Sequence, residues 1–156
     1  MSIIGKHLLS LGIQLPKVAK PVANYIPAMI VDNLVYVSGQ ITSWEGEVKF
    51  KGKVGKDFDI PQGIEAARLC GLNILAQLEY LLGDLDRVKR CIKLGVFVNA
   101  AENFFDHPKV ANGASDLMVQ VFGDAGKHVR FAVGSYNLPL NVAVEVEGLF
   151  EITTPM

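Results

Sequence analysis

The chain has 156 residues, half of them apolar and 20% charged, and its 15 Lys and Arg against 16 Asp and Glu give a formal net charge of −1. Such a composition excludes a disordered chain, and a domain of this length buries roughly two-thirds of its unfolded surface, enough for one self-sufficient core over residues 1–156. Near-neutrality without a basic stripe argues against a nucleic-acid binder, and the absence of any apolar run of ~18 residues argues against a membrane span.

Residues 1–20 read as an N-terminal extension, within which 3–12 fit a short helix and 16–21, bounded by Pro16 and Pro21, an extended segment. Lys6 and His7 precede a broken apolar stretch with no small-residue cleavage pattern, so the cytosol is the expected compartment. Two β-rich runs, 26–31 and 34–41, flank Asp32-Asn33, a pair that tolerates the positive φ of a tight hairpin. Residues 42–60 hold Gly46, Gly52 and Gly55 among charges and read as a mobile or irregular loop.

Pro61 suits the first turn of a helix whose apolar face recurs through Ile64, Ala67, Ile74, Leu75, Leu78 and Leu82 until Gly83 stops it. Residues 92–98 are a nearly all-apolar strand, and 108–122 a second helix stopped by Gly123. Strands at 129–136 and 142–152, joined by a turn, complete the order β-β-α-β-α-β-β, an α+β fold in which two helices cover one face of a mixed sheet. The other face is apolar, and a second subunit is its expected cover. Cys70 and Cys91 lack metal-type spacing and are expected to be reduced core thiols.

Metal clusters, phosphate-binding glycine loops and nucleophile elbows are missing. His7 and His107 read as solvated and His128 as structural. The informative stretch is H-V-R-F-A-V-G-S-Y-N-L-P-L-N-V-A-V-E-V-E, from His128 to Glu147. Alternation puts Arg130, Ala132 and Gly134 on one strand face, so the guanidinium has very small neighbours and room to hold a carboxylate through paired hydrogen bonds. Glu145 is either one more solvated charge or a general base that orients water, placed near Arg130 by the hairpin or across a subunit boundary. Ser38-Gly39-Gln40 is a structural bend or pocket lining, Tyr25 packs over the hairpin or lines a pocket, and Asn112 caps backbone or contributes to the site.

N-Y-I-P-A (Asn24 to Ala28), L-V-Y-V-S-G-Q (Leu34 to Gln40), G-D-L-D-R-V-K-R (Gly83 to Arg90), V-A-N-G-A-S-D-L (Val110 to Leu117) and the stretch from Val129 to Glu147 together resemble the RidA/YjgF family, some members of which carry the label endoribonuclease L-PSP. The helix G-x-x-A-A-R-L-C-x-L-N (Gly63 to Asn73) points to one RidA-like branch. The resemblance implies a chorismate-mutase-like fold, a homotrimer with ligand clefts between subunits, and cofactor-free hydrolysis of small reactive 2-imino or enamine acids to 2-keto acids and ammonia. In its terms Arg130 binds the substrate carboxylate, Glu145 positions the attacking water, and Tyr25, Ser38, Gly39, Gln40, Ala132 and Asn112 surround the substrate, with main chain near Ala132 fixing the imine nitrogen. Phe131 and Ala132 depart from the R-S-x-V or R-x-C-V of typical active members; the large Phe131 could narrow the cleft or repack the interface. Two alternatives stand beside hydrolysis: a non-catalytic protein that binds small carboxylates or regulates a partner, and, more weakly, an endoribonuclease.

Overall fold

Ser2 starts the first helix, α1 (Ile3–Ser10), by accepting the Gly5 N–H at 2.8 Å, and the free N–H groups of Ile3 and Ile4 bond the Asp86 carboxylate at 2.9 and 2.8 Å. In this computed structural model, which describes residues 2–18 and 24–154, that carboxylate ties the N-terminal extension to the rest of the domain. Of the segment expected to be extended, 16–21, residues 19–21 lie outside the described residues.

The first hairpin forms as expected, with β1 (Ala28–Val31) and β2 (Leu34–Gln40) joined through Asp32, whose φ of 54° is a conformation aspartate tolerates. Helix α2 (Ile60–Leu82) has a reciprocal cap between Asp59 and Gln62, Pro61 in its first turn, and a left-handed Gly83 at its end. A single 3-10 turn, Leu85–Arg87, then feeds β5 (Val88–Asn99), which is longer than its apolar centre because pairing with its neighbour starts immediately. Helix α3 (His107–Phe122) follows, then β6 (Val129–Ser135) and β7 (Val144–Ile152).

The segment 42–60 is irregular, but it is anchored along its length. It holds a small hairpin, β3 (Ser43–Trp44) and β4 (Glu47–Val48), tied to α2 by the Asn73 amide, which donates to the carbonyls of Ser43 and Ile41. Further on, Val54 is fully buried and bonds the main chain on both sides of Ala100, while the Asn99 amide donates to the Gly52 carbonyl. The glycines gave the reading of mobility; buried Thr42 and Val54 were the counter-signal.

The sheet order is β1-β2-β7-β5-β6, with β5 and β6 parallel and the other pairs antiparallel. The last two strands therefore do not form a hairpin. The α3 crossover places β6 at the edge beside β5, and β7 enters between β2 and β5, where both of its edges find backbone partners. Alternation then buries Val35, Val37, Leu94, Val96, Val146 and Phe150 beneath α2 and α3. The opposite face carries Met29, Tyr36, Phe97, Phe131, Val133 and Leu149, with no layer of the described residues above it. Cys70 and Cys91 are free and buried, and burial pushes both thiols up, Cys91 to about 12.

Candidate functional site

Two separate clusters hold the candidate residues, one on each side of the sheet. The register pairs Arg130 with Leu94, whose side chain is in the core beneath the helices, and Glu145 with Phe97, which points to the open face. Within one chain, then, Arg130 and Glu145 lie on opposite faces, and the possibility that the terminal strands bring them together is corrected by the insertion of β5.

On the helix side, the half-buried Arg130 reaches from edge strand β6 to the first three turns of α3. Nη1 donates to Asn112 Oδ1 at 2.8 Å and to Ser115 Oγ at 3.0 Å, and Nη2 donates to the Pro108 carbonyl at 3.2 Å. All three acceptors are neutral, and among the described residues no carboxylate pairs with the guanidinium. Three of its five N–H donors are used, which leaves Nε–H and one Nη2 hydrogen for a ligand. An oriented, charge-uncompensated guanidinium of this kind suits a planar anion.

Ala132 shares this face with Arg130, as alternation predicts. The space above Gly134, expected to be open, is filled instead: a Cβ there would lie 2.7 Å from His107 Nε2. His107 is thus packed rather than solvated, with its ring edge-on to Phe104, whereas His7 is exposed, as expected, and bonds the Gln120 carbonyl at 2.8 Å. His128 bonds Ser115 Oγ at 2.8 Å and the Gly126 carbonyl at 2.6 Å. Sequence reasoning missed Ser115. Its signal is the i, i+3 spacing from Asn112, which puts both on one face of α3.

On the open face, Glu145 is half-buried beside Gly39. The carboxyl is raised from its ordinary value, first by loss of water and second by the neighbouring Glu147. Gly39 and Ser38 sit in a β-bulge where the four residues of β2 from Val37 to Gln40 span three of β7, Gly148 to Val146. Ser38 donates from both N–H and Oγ to the Pro27 carbonyl, at 2.8 and 3.1 Å, and Gln40 Nε2 bonds the Ser38 carbonyl at 3.1 Å. These contacts draw the Tyr25–Pro27 segment alongside, with Tyr25 itself 60% exposed. A groove of about 300 Å³ opens next to it, lined by Pro27, Tyr36, Ser38, Lys93, Gly95 and Glu147. Phe131 also lies on this face, edge-on to Phe97 at 5.2 Å and beneath the Lys93 ammonium. It is therefore on the far side of its strand from Arg130 and does not narrow the space around that guanidinium within the chain.

Among the described residues no group of His, Cys, Asp and Glu could hold a metal ion, and no helix is long and apolar enough to cross a membrane.

A family model described as "YjgF/chorismate_mutase-like, putative endoribonuclease" matches residues 5–152. Protein TCP17 of Trypanosoma cruzi is 43% identical over 150 residues, which cover 96% of this chain and 94% of that one. Among solved structures, protein Atu1372 of Agrobacterium tumefaciens superposes with a TM-score of 0.88 at 43% identity, covering 97% of this chain and 94% of its own. A second, from Shewanella oneidensis and described as a putative endoribonuclease, gives 0.93 at 34% identity over 97% and 100%. With these matches and the mixed sheet under two helices, the chain belongs to the YjgF/RidA-like family and has its chorismate-mutase-like α+β fold.

Proposed function

We propose that the protein hydrolyses small 2-imino or enamine acids to 2-keto acids and ammonia in clefts between the subunits of a homotrimer. The observation that carries this reading is the state of Arg130, which is oriented by three neutral acceptors, paired with no carboxylate among the described residues, and left with two donors to spend on a ligand. The expectation that the site is shared follows from the faces: Arg130 and Glu145 are separated by the sheet, so both can reach one substrate only when they come from different subunits. The apolar open face supports assembly, since Met29 and Tyr36 are each 51% exposed and Val133 is 43% exposed.

In this reading the substrate carboxylate docks on Nε and Nη2 of Arg130, and main chain near Ala132 holds the imine nitrogen. Glu145 takes a proton from water as the oxygen attacks the C=N carbon and the bond's electrons move to nitrogen. Glu145 then returns the proton to nitrogen, and the carbinolamine expels ammonia as its remaining hydroxyl gives its proton to the ionised Glu145 and becomes the keto group. A carboxyl raised from its ordinary value is better matched to this proton traffic than an ordinary one. Much of the acceleration comes from positioning, because a protonated imine is already electrophilic. Tyr25, Ser38, Gly39, Gln40 and Asn112 complete the pocket.

Enzymatically generated 2-aminoacrylate tests the reading: the wild type should speed release of pyruvate and ammonia, and Arg130→Ala should lower kcat/KM on the order of 100-fold or more. No acceleration by the wild type would overturn it. Light scattering should give about three times 17.0 kDa. One observation favours a second reading, a carboxylate-binding protein without turnover: within a single chain the anion anchor and the base are on opposite faces. Saturable keto-acid binding with no turnover would select it.

A further inference from the structure

The acceptor closest to the Arg130 site that is also coupled to a titratable group is Ser115. A main-chain carbonyl can only accept, so the 2.6 Å bond from His128 to the Gly126 oxygen places a hydrogen on Nδ1. In the neutral ring Nε2 is then the acceptor, and the Ser115 hydroxyl donates to it at 2.8 Å. The Ser115 oxygen in turn receives Nη1 of Arg130 at 3.0 Å. A directional chain results, in which the Gly126 carbonyl fixes the imidazole, the imidazole fixes the hydroxyl rotor, and the hydroxyl fixes one corner of the guanidinium.

We propose that Ser115 and His128 are positioning residues for the Arg130 anion site, and that protonation of His128 strengthens carboxylate binding there. The proposal rests on the reading of Arg130 as a carboxylate anchor. When the imidazole gains a proton, Nε2 becomes a donor and the Ser115 oxygen faces two cationic donors. Its own hydrogen must turn away, and a second positive charge stands one hydroxyl from the guanidinium. An anion on Arg130 offsets that repulsion, so binding an anion and binding a proton favour each other. Among the described residues no charged or titratable group on the surrounding elements other than Arg130 bonds Ser115 or His128: His107, at the start of α3, packs against Gly134 and Phe104, and Lys109 pairs with Asp106 at 3.6 Å. Lys127 pairs with Asp124 at 3.2 Å on the flanking turn, Asp116 on α3 is exposed, and Lys93 of β5 extends over Phe131 on the opposite face.

The test is calorimetric binding of pyruvate to the full-length protein from about pH 8 to about pH 5.5, the range in which an imidazole ordinarily titrates. It is run in two buffers of different ionisation enthalpy so that proton uptake is read directly. The wild type should bind on the order of tenfold more tightly at the acid end, with net proton uptake. His128→Gln keeps an acceptor for the Ser115 hydroxyl and removes the titration, so it should bind as the wild type does at high pH and lose the acid enhancement. Ser115→Ala should weaken binding at every pH, and Ser115→Thr, which restores the hydroxyl, should recover it. Because Glu145 titrates too, the difference between the wild type and His128→Gln is the decisive quantity. A wild-type affinity that is flat with pH, or an acid enhancement that survives in His128→Gln, would overturn the proposal while leaving Arg130 as anchor. Pyruvate that fails to bind at any pH would overturn the Arg130 reading and this proposal with it.

Discussion

The carboxylate of Glu145 stands where a side chain on Gly39 would begin: a Cβ at position 39 would lie 2.5 Å from Oε2 and 2.9 Å from the carboxyl carbon. The bulge in β2 and the missing side chain together make the space that Glu145 occupies. Gly39→Ala should therefore displace the carboxylate by about 1 Å and lower kcat/KM for imine hydrolysis on the order of 100-fold, with little loss of carboxylate affinity. Steady-state kinetics beside pyruvate binding checks it; unchanged turnover would detach Glu145 from the chemistry.

The raised Glu145 carboxyl sets the sign of the pH dependence. As a base it must be ionised, so kcat/KM should be lost as pH falls through a value above that of an ordinary glutamate. Burial is the first cause and the charge of Glu147 the second. Glu147→Gln removes the like charge, makes ionisation easier, and should move the acid limb to lower pH while leaving it above the usual carboxylate value. A limb that moves upward, or does not move, in pH–rate profiles would contradict this.

Much of the fold was legible because each element carries its own local signal. Pro61 and Gly83 mark the ends of α2, Asp32-Asn33 marks the first hairpin, and alternation placed Arg130 with Ala132 and away from Phe131. The order of the terminal strands was not legible, because strands joined by a short turn usually pair, and here the parallel crossover through α3 sends β6 to the far side of β5. The site was half legible for the same reason. Arg130 and Glu145 stand out by type and spacing, whereas the Ser115–His128 bond and the Gly39–Glu145 contact join residues that only the folded sheet brings together. The space expected above Gly134 was misjudged because the imidazole that fills it comes from the start of α3.

A glycine in α3 gives a stability prediction whose sign is diagnostic. The Cα of Gly113 lies against the Ile64 carbonyl of α2, and a Cβ would overlap that oxygen and crowd Ala67. Replacing glycine by alanine within an exposed helix stabilises it by about 1 kcal/mol. Here two backbones must separate, and Gly113→Ala should instead cost about 1–3 kcal/mol, seen as a Tm lower by ~3–10 °C in thermal denaturation. A raised Tm would mean that the helices do not approach so closely.

The claim that one site draws Arg130 from one subunit and Glu145 from another is tested most directly by mixing two inactive variants. Arg130→Ala and Glu145→Gln are each purified, unfolded together at equal concentration and refolded into mixed oligomers, whose composition is verified by mass. If sites are shared, some neighbours pair an intact arginine with an intact glutamate, and the mixture should regain about a quarter of the wild-type imine hydrolase activity. If both residues act within one chain, every chain still carries one lesion, and verified mixed oligomers that stay inactive would contradict the account.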